Sequence, residues 1–487
     1  MAAIGSVSET SVATAAAAKR RVFASARPLV FCAVAVYALV LAGAGTFHFL
    51  AFQSAHLDLG TMTQAVWSTA HGHFLEMTDA NGQNVMRFAY HVDPMLALLT
   101  PLWFIWPSGL MLVTVQAVAV ASGAIPVYWL ARKHLHTERA AAHFAFAYLL
   151  FPATQFNAFT ISSGFHSVAL AVPLLLFAIW YLDERRLVPF AILALLAVTT
   201  KEEIGATIGC LGIWYAVRHG ERLVGAAILV CGFAISLFDF LVVIPHYSTN
   251  GANPFAGRYA QIGTTPSGVV HTALTNPSAI VHDLATGHKL LYVVMLLGPF
   301  LGLFLREPLL FLGAVPDLAI NLPSNAIDQT SIAYHWTAGI IPFVFAATIV
   351  GIGRMRRDPD RLSLWVLAGA ASISLFSPVV LARGDVASVL SPSTVDSSKA
   401  AALKVVPAGV PVTASNQLGT YLAARRYSYT LPLVGKATWA VIDPKDPTYA
   451  DASGYRAFIR KLDRNPQWRR VFSSDGIEVL HKVGGAR

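Results

Sequence analysis

Asp58 stands in the segment HLDLGTMTQAVW, which directly follows an apolar run long enough to cross a bilayer. The sequence leaves two interpretations of this residue open. Its carboxylate can cap the next helix by accepting hydrogen bonds from free backbone N–H groups, in which case the residues up to Trp67 form a helix at the membrane surface. It can also act at that surface as a general base that deprotonates a hydroxyl group, or as a metal ligand.

Other residues able to exchange protons or bind ions occur at the ends of apolar runs. His91 and Asp93 stand two residues apart in YHVDP, where they can relay a proton, whereas two ligands alone do not make a metal site. His166 occurs in SSGFHS and His335 in YHW, and both are also ordinary residues for a helix end. Ionisable groups are costly in lipid, so these residues are candidate members of a functional site. The need for a divalent cation stays open.

Two further segments contain candidate phosphate ligands. The triplet KEE is either a solvated turn or a site in which Lys201 binds a phosphate and Glu202 or Glu203 positions it. Arg258, in the segment NPFAGRYAQIG, is either a second phosphate ligand or a surface arginine. The residue types therefore allow a site for an anionic substrate without identifying that substrate.

The composition places all of these residues in a membrane protein. Of the 487 residues, 55% are hydrophobic and only 13% are charged, and the mean hydropathy is +0.57, whereas soluble domains carry about a quarter charged residues. The net charge of +9 comes from short basic clusters between apolar runs. This is the pattern that orients membrane proteins, and it argues against a nucleic-acid partner. The three cysteines lie within apolar runs and lack metal-ligand spacing.

The apolar runs predict the helices that must position the site. A transmembrane helix needs about 20 apolar residues, and the run over 188–217 would be roughly 45 Å long as one helix, which exceeds the bilayer core. This run is therefore predicted to form two short helices that meet at the KEE triplet. In all, about eleven transmembrane or membrane-dipping helices are expected, with a short run over 94–106 and the others at 29–52, 109–131, 140–157, 168–182, 222–244, 289–305, 308–322, 336–353 and 362–382.

Basic residues indicate the orientation, because cytoplasmic loops of membrane proteins are rich in Lys and Arg. All the candidate site residues then share the extracytoplasmic side. The clusters that can all be cytoplasmic in this arrangement are those at 19–21, 131–139, 183–186, 217–222 and 354–361.

Domain boundaries follow from changes in composition. Residues 1–28 are predicted to be a disordered cytoplasmic tail, and 29–383 form the transmembrane domain. A Ser-rich linker over 384–400 leads to a small α/β domain over 401–487, which the number of crossings places outside the cytoplasm. Its strands, helix and final hairpin are predicted in GVPVTASNQL, ATWAVIDP, GYRAFIRKLDRNPQW and RRVFSSDGIEVLHKV.

Several segments resemble a bacterial family of predicted polytopic membrane proteins of unassigned function, which is distantly related to the GT-C glycosyltransferases. They include LDLGTMTQAVW, HVDPMLALL, ISSGFHSVALAV, TTKEEIGATIG, YHWTAGIIPF and VPVTASNQLGTYLAARRYSY, and the similarity extends over nearly the whole chain. GT-C enzymes use lipid-linked sugars and place an aspartate in the first extracytoplasmic loop. The resemblance therefore implies that Asp58 is the base that activates an acceptor hydroxyl. It also implies that Lys201 or Arg258 stabilises the departing lipid phosphate.

Three positions depart from the family pattern. An acid is usual a few residues after DLG, where this chain has Thr63. An acid also commonly precedes the FH pair, where this chain has Gly164, and Ser167 replaces the usual proline after that pair. If those acids bind a metal or an acceptor in other members, the resemblance implies an altered substrate or a loss of activity here.

The sequence thus predicts a mainly α-helical, GT-C-like, multi-pass protein of the bacterial inner membrane. Its predicted reaction transfers a sugar from a polyprenyl-phosphate donor to an envelope glycan, lipid or protein acceptor. The alternatives are a transporter or flippase of a lipid-linked or anionic solute, with its site in the interrupted helices, and a non-catalytic envelope assembly protein. Asp58 is the predicted catalytic base, Lys201 and Arg258 are the predicted phosphate ligands, and the supporting site residues are His91, Asp93, His166, Glu202, Glu203 and His335.

Overall fold

A computed structural model describes residues 26–160, 164–249, 251, 254–263, 266–376 and 383–483. Residues 1–25 of the predicted N-terminal tail lie outside the described residues. The described chain is mainly helical, with a two-stranded sheet early in the chain and a five-stranded sheet near its end.

The described part of the chain contains α-helices of four to 25 residues. They are α1 (Ala26–Leu50), α2 (Thr61–Ala70), α3 (Met95–Trp103), α4 (Gly109–Ser122), α5 (Ala124–Leu135), α6 (Glu138–Leu150), α7 (Pro152–Ala158), α8 (Ala171–Asp183), α9 (Leu187–Val198), α10 (Ile204–Arg218), α11 (Arg222–Phe238), α12 (Ile244–Tyr247), α13 (Pro266–Thr275), α14 (Pro277–Leu284), α15 (Gly287–Leu297), α16 (Pro308–Phe311), α17 (Val315–Asn321), α18 (Ile341–Gly353), α19 (Pro359–Ile373), α20 (Arg383–Leu390), α21 (Thr394–Val405), α22 (Asn416–Gly419) and α23 (Ala452–Asp463). The strands are β1 (Glu76–Thr78), β2 (Asn84–Met86), β3 (Val412–Ala414), β4 (Ser428–Thr430), β5 (Trp439–Ile442), β6 (Trp468–Ser474) and β7 (Ile477–Lys482).

Each of the predicted apolar runs contains a helix, with differences at the breaks. Within the described residues, four helical stretches are long and apolar enough to cross a membrane, and a fifth, over 277–300, is bent by 66°. The predicted run over 140–157 is two helices, because Phe151 is extended before Pro152 and a residue that precedes proline is disfavoured in the α region. The four stretches are Ala26–Leu50, Gly109–Leu135, Arg222–Tyr247 and His335–Gly353, and shorter apolar helices occupy Ser167–Asp183, Leu187–Val198, Ile204–Arg218 and Pro308–Asn321.

The predicted break at the KEE triplet is confirmed. Helix α9 ends at Val198 and helix α10 begins at Ile204, and all three residues of the triplet are buried between them. The solvated-turn interpretation of this triplet is therefore wrong.

The basic loops meet at one end of the helix bundle. Asp183 Oδ2 lies 2.8 Å from Lys133 Nζ, and Asp183 Oδ1 lies 3.6 Å from His219 Nε2. Glu307, which is fully buried, pairs with the arginine side chains of Arg218 and Arg354. Four of the five predicted cytoplasmic clusters thus lie on one common face, and the fifth, at 19–21, lies outside the described residues.

The C-terminal region forms a five-stranded mixed sheet in the order β4-β3-β5-β7-β6. Strand β3 is parallel to both β4 and β5, whereas β7 is antiparallel to β5 and β6. The structure contains the predicted strands, the helix α23 and the hairpin with its turn at Asp475-Gly476. Within the segment 384–400, predicted as a linker, lie most of α20 and the first half of α21, and α21 begins with a capping box between Ser393 and Asp396.

Helices α10 and α11 pack backbone to backbone. A Cβ atom added to Gly212 would lie 2.2 Å from the carbonyl oxygen of Gly225 and 2.6 Å from the nitrogen of Leu229. Small residues allow this approach between membrane helices. Nearer the start of α10, the Ser236 hydroxyl of α11 donates to the carbonyl oxygen of Glu202 over 2.6 Å.

We expect the substitution Gly212→Ala to destabilise the protein by about 1–3 kcal/mol, because the new methyl group overpacks this helix pair. The thermal unfolding midpoint of the detergent-solubilised protein measures the effect. Gly43→Ala in α1 is the control, because no heavy atom lies within 4 Å of its added Cβ. Equal midpoints for the two variants would contradict the predicted packing.

Candidate functional site

The segment HLDLG forms one π-helical turn, His56–Gly60, which continues directly into α2. The side chain of Asp58 makes no capping hydrogen bond to either helix, so the helix-cap interpretation of this residue is wrong. The prediction of a surface helix is also wrong, because α2 is buried on most of its faces, including Thr63 and Gln64. Single π-helical turns occur frequently at functional sites, and this one directs Asp58 into a cavity.

The cavity has a volume of about 470 Å³. The structure brings five of the predicted site residues to its wall, namely Asp58, His91, His166, Arg258 and His335. Other polar and aromatic side chains of the wall were not candidate site residues from the sequence, and they are Thr61, Asp79, Arg87, Tyr90, Phe255, Asp328, Tyr334 and Trp336.

The remaining predicted site residues lie behind this wall. Asp93 pairs with Arg87, and Glu202 pairs with His91. Lys201 Nζ lies 2.7 Å from Glu203 Oε1 and 3.8 Å from the centre of the Trp336 ring. All four residues, Asp93, Lys201, Glu202 and Glu203, are buried. They do not line the cavity but contact residues that do, or each other.

Arg87 is the cationic group that sequence analysis missed. It follows β2, and its Nε lies 3.2 and 3.1 Å from the two carboxylate oxygens of Asp93. Asp93 Oδ2 also lies 2.9 Å from Ser167 Oγ. This arrangement fixes the guanidinium group at the cavity wall. The segment NVMRFAY contains no feature that distinguishes Arg87 from a surface arginine. Its pairing with Asp93 is seen only in the folded structure.

His91 is held from two sides. Its Nδ1 lies 2.9 Å from Glu202 Oε1, while Glu202 Oε2 accepts the backbone N–H of Val92 over 3.1 Å. The His91 ring stacks on Phe255, with ring centres 4.8 Å apart. A carboxylate partner fixes the orientation of an imidazole ring, so His91 presents its other nitrogen in a defined direction.

His166 and His335 stack on each other, with ring centres 3.6 Å apart. Burial, together with the nearby Arg87 and Lys201, holds the pKa of His166 well below its usual range, so this ring is neutral. His335 is only 7% exposed, and its Nδ1 has no hydrogen-bond partner in the described part of the chain. A buried unpaired polar atom is costly, and its position at the cavity wall suits a bound ligand.

The environment of Asp58 raises the pKa of its carboxyl group. Its side chain keeps 38% of its surface accessible, but this surface opens into the cavity. Burial raises the pKa of Asp58 to about 6, while the charge of Arg87 lowers this value and that of Asp328 raises it. His166 Nε2 lies 3.7 Å from Asp58 Oδ1, just beyond hydrogen-bond distance. A carboxyl group with this pKa is suited to general base catalysis near neutral pH.

Aromatic rings surround the second cation of the cavity. The guanidinium carbon of Arg258 lies 4.6 Å from the centre of the Phe255 ring and 5.1 Å from that of Trp336. Trp336 Nε1 donates a hydrogen bond to Asp328 Oδ2 over 3.3 Å. Stacking orients the planar guanidinium group and leaves its edge N–H groups able to bind an anion.

The three departures from the family pattern have structural explanations. Thr63 is buried away from the cavity wall, and a Cβ atom on Gly109 would lie 2.9 Å from its hydroxyl. Gly164 has a φ of +82°, which other residues rarely adopt, and it packs against Leu59. Ser167 contacts Asp93. Of the three positions, Ser167 is therefore the one connected to the cavity wall. It contacts Asp93, which pairs with the cavity-lining Arg87.

No group of three or more His, Cys, Asp or Glu side chains among the described residues has the geometry to hold a metal ion.

Two solved structures share this fold. ArnT from Cupriavidus metallidurans in the apo state matches with a TM-score of 0.52 and 13% identity, over 92% of this chain and 98% of that chain. The same protein bound to undecaprenyl phosphate matches with a TM-score of 0.51 and 12% identity, over the same shares of the two chains. Identities this low show the fold alone, which this chain shares with ArnT.

The described helices and this fold define a polytopic membrane protein with an ArnT-like fold. The chain belongs to the family described as Predicted membrane protein (DUF2079), whose model matches residues 48–479. No curated protein matches the chain. The resemblance noted in the sequence is thereby confirmed for the family and the fold.

We expect the substitution Asp93→Asn to destabilise the protein by about 3–5 kcal/mol, because it leaves the Arg87 charge without its buried partner. Thermal unfolding in detergent measures this loss. The double substitution Arg87→Leu/Asp93→Leu should recover most of the stability, because it removes both charges. An unfolding midpoint of Asp93→Asn equal to that of the wild type would contradict a structural role for the pair.

Proposed function

We propose that this protein is a membrane glycosyltransferase that moves a sugar from a polyprenyl-phosphate donor to an acceptor outside the cytoplasm. The observation that carries the proposal is the meeting of Asp58, Arg87 and Arg258 at one cavity of about 470 Å³ in a GT-C fold. Such a cavity combines a candidate base with candidate ligands for a phosphate. One of the two matched structures is described as bound to undecaprenyl phosphate, a lipid of the proposed donor class.

In the proposed reaction, Asp58 accepts the proton of an acceptor hydroxyl group while the hydroxyl oxygen forms a bond to the anomeric carbon of the sugar. The bond between this carbon and the phosphate oxygen breaks, and its electron pair remains on the departing polyprenyl phosphate. The leaving group needs no proton at neutral pH, because positive charge can stabilise it instead. One catalytic carboxylate is thus sufficient.

Arg87 and Arg258 are the proposed ligands for the donor phosphate. Both line the cavity, and a guanidinium group can bind a phosphate through two parallel hydrogen bonds. Lys201, which the sequence indicated for this role, pairs with Glu203 behind Trp336. We therefore assign Lys201 to the support of Trp336, and the phosphate-binding role to the two arginines.

The proposed location of the site is the extracytoplasmic side of the inner membrane. The basic loops around Asp183 and Glu307 share one face of the bundle, and such loops are typically cytoplasmic. The long span Ala26–Leu50 leads from the basic N-terminal segment to the turn that carries Asp58. The C-terminal sheet, which contacts this turn, belongs on the same side.

The transporter alternative predicts charged groups at the broken helices that are available to a solute. Lys201, Glu202 and Glu203 are buried at such a break, but each of them is engaged with a protein partner. The third alternative, an assembly protein without activity, does not require a base with a raised pKa. Both alternatives predict that the wild-type protein has no sugar-transfer activity that depends on Asp58.

The substitution Asp58→Asn should abolish transfer, because an amide cannot accept the proton of the acceptor hydroxyl. The measurement is the incorporation of label into the envelope fraction of membranes that are supplied with a panel of radiolabelled polyprenyl-phosphate monosaccharides. Asp79→Asn is the matched control in the same cavity, since Asp79 is already engaged by Tyr90 and two backbone N–H groups. Transfer by Asp58→Asn at the wild-type rate would disprove the proposed role of Asp58.

The transfer rate should depend on pH through the ionisation of Asp58. The carboxylate is the active form of a base, so kcat/KM should rise as the pH increases through about 6 and level off above it. Initial rates in a series of buffers at constant ionic strength measure this profile. A profile that falls over the same interval would mean that a protonated group, rather than ionised Asp58, is required.

A further inference from the structure

The turn that carries Asp58 is held by the C-terminal region of the chain. The backbone N–H groups of His56 and Leu57 both donate to Oδ1 of Asn416, over 3.0 and 3.2 Å. These are two of the N–H groups that have no partner within a helix because they stand at its beginning. Their acceptor is supplied by a residue 360 positions away in the sequence.

The imidazole ring of His56 makes a second connection to the same region. Its Nε2 lies 2.9 Å from Ser428 Oγ, and its Nδ1 lies 2.8 Å from Thr430 Oγ1, so the ring bridges two residues of β4. The ring is 1% exposed and packs against Gly419, where an added Cβ would lie 2.9 Å from it. Burial and the charge of Arg425 lower the pKa of His56 to about 4, so the ring is neutral.

Further hydrogen bonds surround this connection. Thr420 Oγ1 donates to the carbonyl oxygen of Ser54 over 2.9 Å, and Gln64 Nε2 donates to the carbonyl oxygen of Arg425 over 3.1 Å. The residues on both sides of the π-helical turn are thus bonded to the C-terminal region. Most of these groups are buried, where hydrogen bonds fix geometry strongly.

We infer that Asn416, Ser428 and Thr430 are positioning residues for Asp58, and that the C-terminal sheet is therefore a structural part of the catalytic centre. Asp58 is two residues from His56 within one helical turn, so any shift of His56 moves the carboxylate relative to the cavity. This inference rests on the proposed function of Asp58. Displacement of a catalytic group by about 1 Å lowers rates by about 100-fold.

The substitution Asn416→Ala should therefore lower kcat by about 100-fold, with little change in the KM for the polyprenyl-phosphate sugar, because the cavity wall that binds the donor stays intact. Asn416→Asp should restore most of the rate, since a carboxylate can accept both N–H groups. Ser415→Ala is the matched control, because Ser415 is also buried in the same region but its hydroxyl bonds, among the described residues, to Asp443 and Tyr455 rather than to the turn. It should keep kcat within a few fold of the wild type.

Amide hydrogen exchange of the full-length protein provides a readout that is independent of activity. The amides of His56 and Leu57 should exchange faster in Asn416→Ala than in the wild type, and not in Ser415→Ala. If Asn416→Ala does not fold, the double variant Ser428→Ala/Thr430→Val tests the same connection through the His56 ring.

Unchanged exchange in Asn416→Ala would overturn the inference, and so would faster exchange with a wild-type kcat. Equal losses of kcat in Asn416→Ala and Ser415→Ala would overturn it as well, because they indicate general destabilisation. Transfer by Asp58→Asn at the wild-type rate would instead disprove the proposed function, and the positioning of a catalytic base with it. The exchange experiment would still show in that case whether Asn416 holds the turn.

Discussion

The buried ion pair between Arg87 and Asp93 is the interaction on which the site depends. It joins the segment after β2 to the start of α3, and Ser167 connects it to the segment before α8. Ser167 Oγ also lies 3.1 Å from the carbonyl oxygen of Thr200 in the turn between α9 and α10. A buried charge without a partner is strongly destabilising, so these four segments are held in one relative position. The cavity wall has a fixed shape as a result.

Polar groups behind the cavity wall have more ionic and hydrogen-bond partners than some of the polar groups that line the cavity. Lys201 and Glu202 have close ionic partners, whereas Nδ1 of His335 has none among the described residues and Asp58 has an imidazole only at 3.7 Å. Paired charges make a rigid support, and unsatisfied groups retain the capacity to bind a ligand or exchange a proton. This difference separates Lys201 and Glu202 from Asp58 and His335, whereas Arg87 and His91 both line the cavity and have a buried ionic partner.

The C-terminal sheet extends this support from the opposite side. Asn416 completes the hydrogen bonds of the π-helical turn, and β4 holds the ring of His56. The site is thus assembled from both ends of the chain, around a turn whose Leu59 side chain also packs in the apolar core. The domain boundary predicted from composition at 384–400 places His56 and Asn416 in different domains, whereas the fold joins them by a hydrogen bond.

The sequence alone determined the membrane class, the positions of most helices, the break at the KEE triplet and the strands of the C-terminal sheet, because these features depend on local apolar periodicity and turn residues. It also identified five candidate site residues that line the cavity, namely Asp58, His91, His166, Arg258 and His335. Only the tertiary structure decided which polar residues line the cavity and which are buried in pairs. It added Arg87 and Asn416, whose partners are six and 360 positions away. Neither pairing leaves a pattern in the local sequence, since each depends on how the backbone and the neighbouring segments pack.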